Sequence, residues 1–149
     1  MVYGNFDGQE VEEDRVCNPL GIYGALKYGS EKIIIGYNQT FDLPYTIIRP
    51  SALYGERCIS RRVGQIFIEN AINNHKIKIG GDGEDKLDFT YIEDVAEIIM
   101  RLIKKPAEQS LLKEGLSYPA DSSWAPYRIF NIGNKKPRNA RYTIWPKER

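Results

Sequence analysis

The chain has 149 residues, 42% of them hydrophobic and 28% charged, which is enough for a compact fold with an apolar core. A net charge of +1 and the lack of an apolar run near ~18 residues argue against a nucleic-acid-binding face and a membrane-spanning helix. Cys17 and Cys58 are too few for a disulfide framework or a metal cluster, His75 lies in a polar stretch, and no basic-then-apolar leader opens the sequence, so a cytoplasmic protein without a metal site is expected.

In chain order, Met1–Tyr3 is long enough only for the tail of a strand. Residues 4–18 are polar, with Glu10, Glu12, Glu13 and Asp14, and read as a loop. Asn18-Pro19 predicts a helix start, Asn as cap and Pro as the first helical residue. The helix is expected over about 20–40, with Ile22, Leu26, Ile33 and Tyr37 at helical spacing, and Asp42-Leu43-Pro44 breaks it. "YTIIRP" (45–50) is β-branched and aromatic and reads as a buried strand. Val63, Ile66, Phe67 and Ala71 mark a second helix, closed by Asn73-Asn74. "KIKI" (76–79) alternates like a half-exposed strand, "GGDG" turns, and "LDFTYI" (87–92) is extended. "EDVAEIIMRLIKK" predicts an amphipathic helix, acidic at its start and basic at its end, stopped by Pro106. Residues 107–126 read as loop and "YRIFNIG" (127–133) as a strand, while the tail after it has no clear period. Strands separated by helices predict an α/β fold with a parallel sheet.

The stretch with chemistry in it is "NPLGIYGALKYGSEKIIIGY". Tyr23 and Lys27 are four apart and share one helix face. An ammonium near a phenol favours the phenolate, so such a tyrosine can take a proton from a substrate hydroxyl near neutral pH. The lysine can also donate to a ribose hydroxyl. Tyr28 and Lys32 repeat the spacing, but five residues of helix turn by about 140°, so the two pairs cannot serve one site. The bland alternative for each pair is a half-buried tyrosine with a lysine stem lying along it.

The order Val2-Tyr3-Gly4, Pro19, Tyr23-Gly24, Lys27, Glu31, Tyr37, "LPYTIIRPSALYG", "IGGDGEDKLDFTYIEDVA" and "FNIGN" resembles one family from residue 1 to about 137. It is similar to the extended short-chain dehydrogenase/reductases, and among them to the NAD-dependent nucleotide-sugar epimerases and dehydratases. The resemblance implies the back half of a doubly wound, Rossmann-like parallel-sheet domain with a small α/β substrate lobe. In that division 1–51 end the dinucleotide-binding domain and carry the Tyr-x-x-x-Lys helix. Residues 52–91 form the substrate lobe, 92–105 are a helix returning to the first domain, and 106–149 are the remaining lobe with an irregular tail. It selects Tyr23 as the general base acting on a sugar hydroxyl. It selects Lys27 as the residue that holds the nicotinamide ribose and acidifies that base, and it leaves Tyr28 and Lys32 structural. Arg49, Pro50 and Ser51 match the strand end whose backbone lies against the nicotinamide end of NAD. A nucleotide-sugar substrate and a homodimeric parent are implied as well. "SSWAPYRIFNIGN" (122–134) is similar to the closing segment of hexuronic-acid nucleotide epimerases, which favours a 4-epimerase over a 4,6-dehydratase.

The sequence departs from the family pattern in several places. No glycine-rich pyrophosphate turn is present; Gly4-Asn5-Phe6-Asp7-Gly8 lacks both the spacing and a following helix. Met1 stands where the family places a Ser or Thr before Val-Tyr-Gly, and the first Ser or Thr is Ser30. Leu26 replaces a small hydroxyl residue before Lys27. Leu87 replaces an Arg that pairs with the nucleotide diphosphate, and the adjacent Lys86 points to the other strand face. The expectation is therefore a fragment that does not turn over alone and that exposes apolar surface, so that it aggregates or depends on a partner. A non-catalytic, partner-binding fragment is the competing reading.

Overall fold

The structure is a computed structural model, and it describes residues 2–5, 10–60, 62–83, 86–104, 127–134 and 138–139. Contacts divide the chain into two units, one of Met1–Arg49 with Ile99–Asn131, the other of Pro50–Ile98 with Ile132–Arg149. The elements run α1 (Gly21–Phe41), β1 (Tyr45–Pro50), β2 (Ala52–Tyr54), α2 (Val63–Ile72), β3 (Lys86–Leu87), β4 (Phe89–Tyr91), α3 (Ile92–Lys104), β5 (Tyr127–Ile132) and β6 (Arg138–Asn139). This is an α/β fold with parallel pairing: β2 lies parallel to β4, with Ala52 opposite Phe89 and Tyr54 opposite Tyr91. β1 pairs with β5, and β3 pairs antiparallel with β6.

In the first unit, α1 occupies nearly the expected span but starts differently. Asn18 does not cap it. The cap position is Leu20, without a side-chain hydrogen bond, and Gly21 enters the helix at φ 71°. The backbone carbonyl of Asn18 lies against Gly4. The far end is well closed: Asp42 is left-handed (φ 54°, ψ 32°), its N–H donates to the Asn38 carbonyl at 2.8 Å, and Asn38 Nδ2 donates to the Leu43 carbonyl at 2.9 Å. The helix buries Gly24, Glu31 and Asn38, whereas the apolar ridge of Ile22, Leu26, Ile33 and Tyr37 is exposed. Val2, Tyr3 and Cys17 form a small buried cluster, with Val11 and Tyr28 packed on it. Val2 and Tyr3 sit in a turn rather than a strand, and residues 10–18 are loop as expected, whereas 19–20 are not yet helical. In β1, Ile47 is buried and its neighbours are half-buried.

In the second unit, α2 ends at Asn73, whose Nδ2 donates to the Glu69 carbonyl at 2.8 Å. Residues 76–79 form no strand, contrary to the alternation of "KIKI", since no described strand lies beside them to complete a ladder. The extended stretch 87–92 is interrupted at Asp88 and becomes helical at Ile92. α3 carries Glu93 and Asp94 in its first turn and Arg101 and Lys104 in its last, matching the helix dipole at both ends. Cys17 and Cys58 form no disulfide. No helix among the described residues is long and apolar enough to cross a membrane. The expected loop at 107–126, the Pro106 stop and the tail after 139 lie outside the described residues.

Candidate functional site

Helical spacing brings Tyr23 and Lys27 together as expected. Lys27 Nζ stands 5.7 Å from the centroid of the Tyr23 ring, within cation–π range. Both side chains are exposed, Tyr23 at 57%. A phenol beside an ammonium, both open to a ligand, can exchange a proton with an alcohol and donate to a diol. Tyr28 and Lys32 are closer still, at 4.9 Å, yet Tyr28 packs against the Val2–Tyr3–Cys17 cluster, so burial as well as helical rotation separates the two pairs.

Arg49 is positioned by the end of β1, and its side chain is spoken for. Its Nε and Nη2 donate to the two carboxylate oxygens of Glu31 at 3.0 and 2.7 Å, a bidentate pair with side chains only 6% and 11% exposed. Its Nη1 donates to the Tyr3 hydroxyl at 2.6 Å, and the guanidinium lies 4.7 Å from the Tyr3 ring centroid. The Tyr3 hydroxyl in turn donates to Asn131 Oδ1 at 2.8 Å. Asn131 gives its backbone N–H to Glu13 Oε1 and its Nδ2 to the Val11 carbonyl, at 2.8 and 2.9 Å. Burial alone would push the Arg49 proton off, but the hydrogen bonds to Glu31 and Tyr3 outweigh it and hold the guanidinium above its ordinary range. Any contribution of Arg49 to a bound cofactor therefore runs through its backbone.

Burial pushes the Tyr3 phenol up from its ordinary value, against the pull of Arg49 and Asn131. The native state thus holds this proton more tightly than the unfolded chain. Its contribution to stability is complete below about pH 10 and is lost as pH rises through the native value. From about pH 10 upward the melting temperature of the wild type should fall more steeply than that of Tyr3→Phe. Parallel slopes in a thermal scan across that window would show that Tyr3 ionises as freely folded as unfolded.

In the second unit, the residues after Arg49 are held by polar contacts. Ser51 N–H donates to the Ile132 carbonyl at 2.8 Å, and Ser51 Oγ lies 2.6 Å from Oγ1 of the buried Thr90. Asp88 joins "LDF" to "NIGN": both of its carboxylate oxygens accept from the Asn134 N–H, at 2.8 and 2.9 Å, and a Cβ at Gly133 would collide with that carboxylate. Gly133→Ala should consequently cost about 2 kcal/mol, the overpacking cost of displacing a side chain that is hydrogen-bonded in place. Urea denaturation measures it, and a wild-type midpoint would show that the carboxylate moves aside freely.

Tyr23 with Lys27, Arg49 with Glu31 and Tyr3, and Ser51 with Thr90 are thus the groupings around the expected site residues; Pro50 ends β1. Sequence reading named Asp88 only as part of a matched turn and strand, and it missed Asn131 and the partnership of Glu31 with Arg49. The signal for Glu31 was present in the seven-residue spacing of Gly24, Glu31 and Asn38, a polar stripe that turns out to be the buried one. No group of three or more His, Cys, Asp or Glu among the described residues could hold a metal ion.

Comparison with known proteins gives the frame for this geometry. Protein CapI from Staphylococcus aureus is 34% identical over 124 residues, covering 83% of this chain and 37% of CapI. A putative UDP-glucose 4-epimerase from Methanocaldococcus jannaschii is 39% identical over 99 residues, covering 64% of this chain and 32% of that protein. The crystal structure of UDP-glucuronic acid 4-epimerase from Bacillus cereus in complex with NAD superposes with a TM-score of 0.73 at 26% identity, covering 93% of this chain and 39% of that one. The chain therefore spans between three and four tenths of the length of these proteins. Residues 1–133 match the sequence pattern of the NAD dependent epimerase/dehydratase family, and with the Rossmann-like α/β fold in place, the chain belongs to that family.

Proposed function

We propose that these residues carry the catalytic helix and part of the substrate lobe of an NAD-dependent nucleotide-sugar 4-epimerase. The observation that carries this reading is the exposed Tyr23 with the Lys27 ammonium against its ring. The donor set fits the nicotinamide–ribose end of NAD, since an ammonium and a phenol both donate to ribose hydroxyls. It does not extend to the pyrophosphate: among the described residues, none of the three helices opens on a glycine-rich turn of the kind that cradles phosphate. NAD, when bound, supplies the hydride acceptor and returns the hydride. Tyr23 removes the proton from the sugar 4-hydroxyl as a 4-keto sugar forms and restores it after the sugar has presented its other face. Lys27 would hold the ribose, and the backbone of Arg49, Pro50 and Ser51 would line the nicotinamide end. A homodimeric parent in the cytoplasm accompanies this reading.

Turnover is expected only when a glycine-rich pyrophosphate segment is supplied. The test mixes this chain with the portion of the Bacillus cereus UDP-glucuronic acid 4-epimerase that precedes its matching region, then adds NAD and UDP-glucuronic acid. Appearance of the 4-epimer supports the reading, and Tyr23→Phe should lower the rate by about 10²–10⁴-fold, the usual worth of a positioned acid–base group. A 4-keto-6-deoxy product from dTDP-glucose would instead place the chain with the dehydratases. Epimer formation undiminished in Tyr23→Phe would remove the phenol from the mechanism.

A further inference from the structure

We infer that Arg49 is a positioning residue: its guanidinium, gripped by Glu31, sets the rotation of the helix that carries Tyr23 and Lys27. Tyr28 also ties α1, by packing on the Val2–Tyr3–Cys17 cluster, but an apolar contact fixes proximity rather than orientation. The start of α1 has no side-chain cap, and its apolar ridge faces solvent instead of a core. Of its three buried residues, Gly24 has no side chain to lock, and Asn38 turns back to Leu43 just past the end of its own helix. Glu31 alone of these three is shown reaching another element, and it does so through two parallel hydrogen bonds to β1. A planar fork against a carboxylate fixes orientation as well as distance, which a point charge does not.

The same guanidinium bonds Tyr3, and Tyr3 bonds Asn131, so one group ties α1 and β1 to the Val2–Gly4 segment and to β5. Lys27 lies one turn before Glu31 and Tyr23 two turns before it. A rotation of α1 by about 10° would move a group about 6 Å from its axis by about 1 Å. Misplacement on that scale costs roughly 10²-fold in rate at an aligned site.

The consequence for turnover rests on the proposed role of Tyr23; the positioning itself does not. The experiment therefore reads position directly. The full chain is labelled with 3-fluorotyrosine, and the Tyr23 ¹⁹F resonance is assigned by its loss in Tyr23→Phe. The double variant Glu31→Met/Arg49→Met removes both charges at similar volume, so its melting temperature reports folding while the ¹⁹F line reports the helix. The expected result is a folded variant whose Tyr23 line has shifted or split from the single wild-type line. A Tyr23 line unchanged in the folded double variant would overturn the inference. Should the double variant fail to fold, Arg49→Lys keeps the charge and loses the fork. A shifted or split Tyr23 line in it carries the inference, and an unchanged line overturns it. In the complemented assay, the rate should fall about 10²-fold in the variant with KM nearly unchanged. If the wild type shows no epimerisation, the functional reading fails while the ¹⁹F result still decides the inference.

Discussion

Arg49→Met is expected to lower the folding free energy by about 3–5 kcal/mol, because it leaves the Glu31 carboxylate buried without its partner. The pair's exposures of 6% and 11% place it well inside the protein, where a missing partner is not replaced cheaply by water. In a chain of this length that corresponds to a fall in melting temperature of the order of 10 °C. Glu31→Met should act similarly, since it strands the guanidinium that also serves Tyr3. The double variant should lie close to the wild type, because two well-packed apolar side chains replace a buried ion pair at little net cost. Circular-dichroism melts of the four proteins measure this directly. Single variants within about 1 kcal/mol of the wild type would mean that the pair behaves as a solvated surface contact.

Gly4→Ala is the second large effect. Gly4 has φ 76°, and a Cβ there would run into the backbone carbonyl oxygen of Asn18. The left-handed conformation costs a side-chain-bearing residue about 1–2 kcal/mol. The collision adds about 1–3 kcal/mol, since a backbone atom cannot swing aside as a side chain can. Gly81 supplies the control: its φ is 64° but nothing lies within 4 Å of its would-be Cβ. Gly81→Ala should thus lose only the conformational part. Equal losses at both positions in urea denaturation would show that the Asn18 carbonyl yields without cost.

The two features have a common root in how the N-terminal loop is fastened. The Asn18-Pro19 dipeptide looked like a helix cap because asparagine before proline usually is one. Here the helix begins later, at Gly21, with Leu20 at the cap position, while the Asn18 carbonyl lies against Gly4. Helices α1 and α3 were legible because their composition and punctuation are local. The charged first and last turns of α3 and the Asp42-Leu43-Pro44 break after α1 need no tertiary information. The inside-out α1 was not legible. Its apolar residues recur at helical spacing and would ordinarily mark the buried face, yet burial follows Glu31 and Asn38, whose partners are Arg49 and Leu43. The Tyr23–Lys27 pair was readable from its spacing of four, whereas Arg49 and Glu31 are 18 apart and meet only because β1 returns alongside α1. "KIKI" shows the opposite failure: alternation is a statement about faces, and a strand also needs a neighbour.

The contact between Asp88 and the bare Cα of Gly133 has a consequence for engineering. The carboxylate occupies the space that any side chain at 133 would need, so the fitness of a replacement at one position depends on what stands at the other. A library that randomises "NIGN" alone should return mainly glycine at 133, because the Asp88 carboxylate stays in place. A joint library should recover compensated pairs in which a shorter residue at 88 admits a larger one at 133, an epistasis that single-site scans would miss.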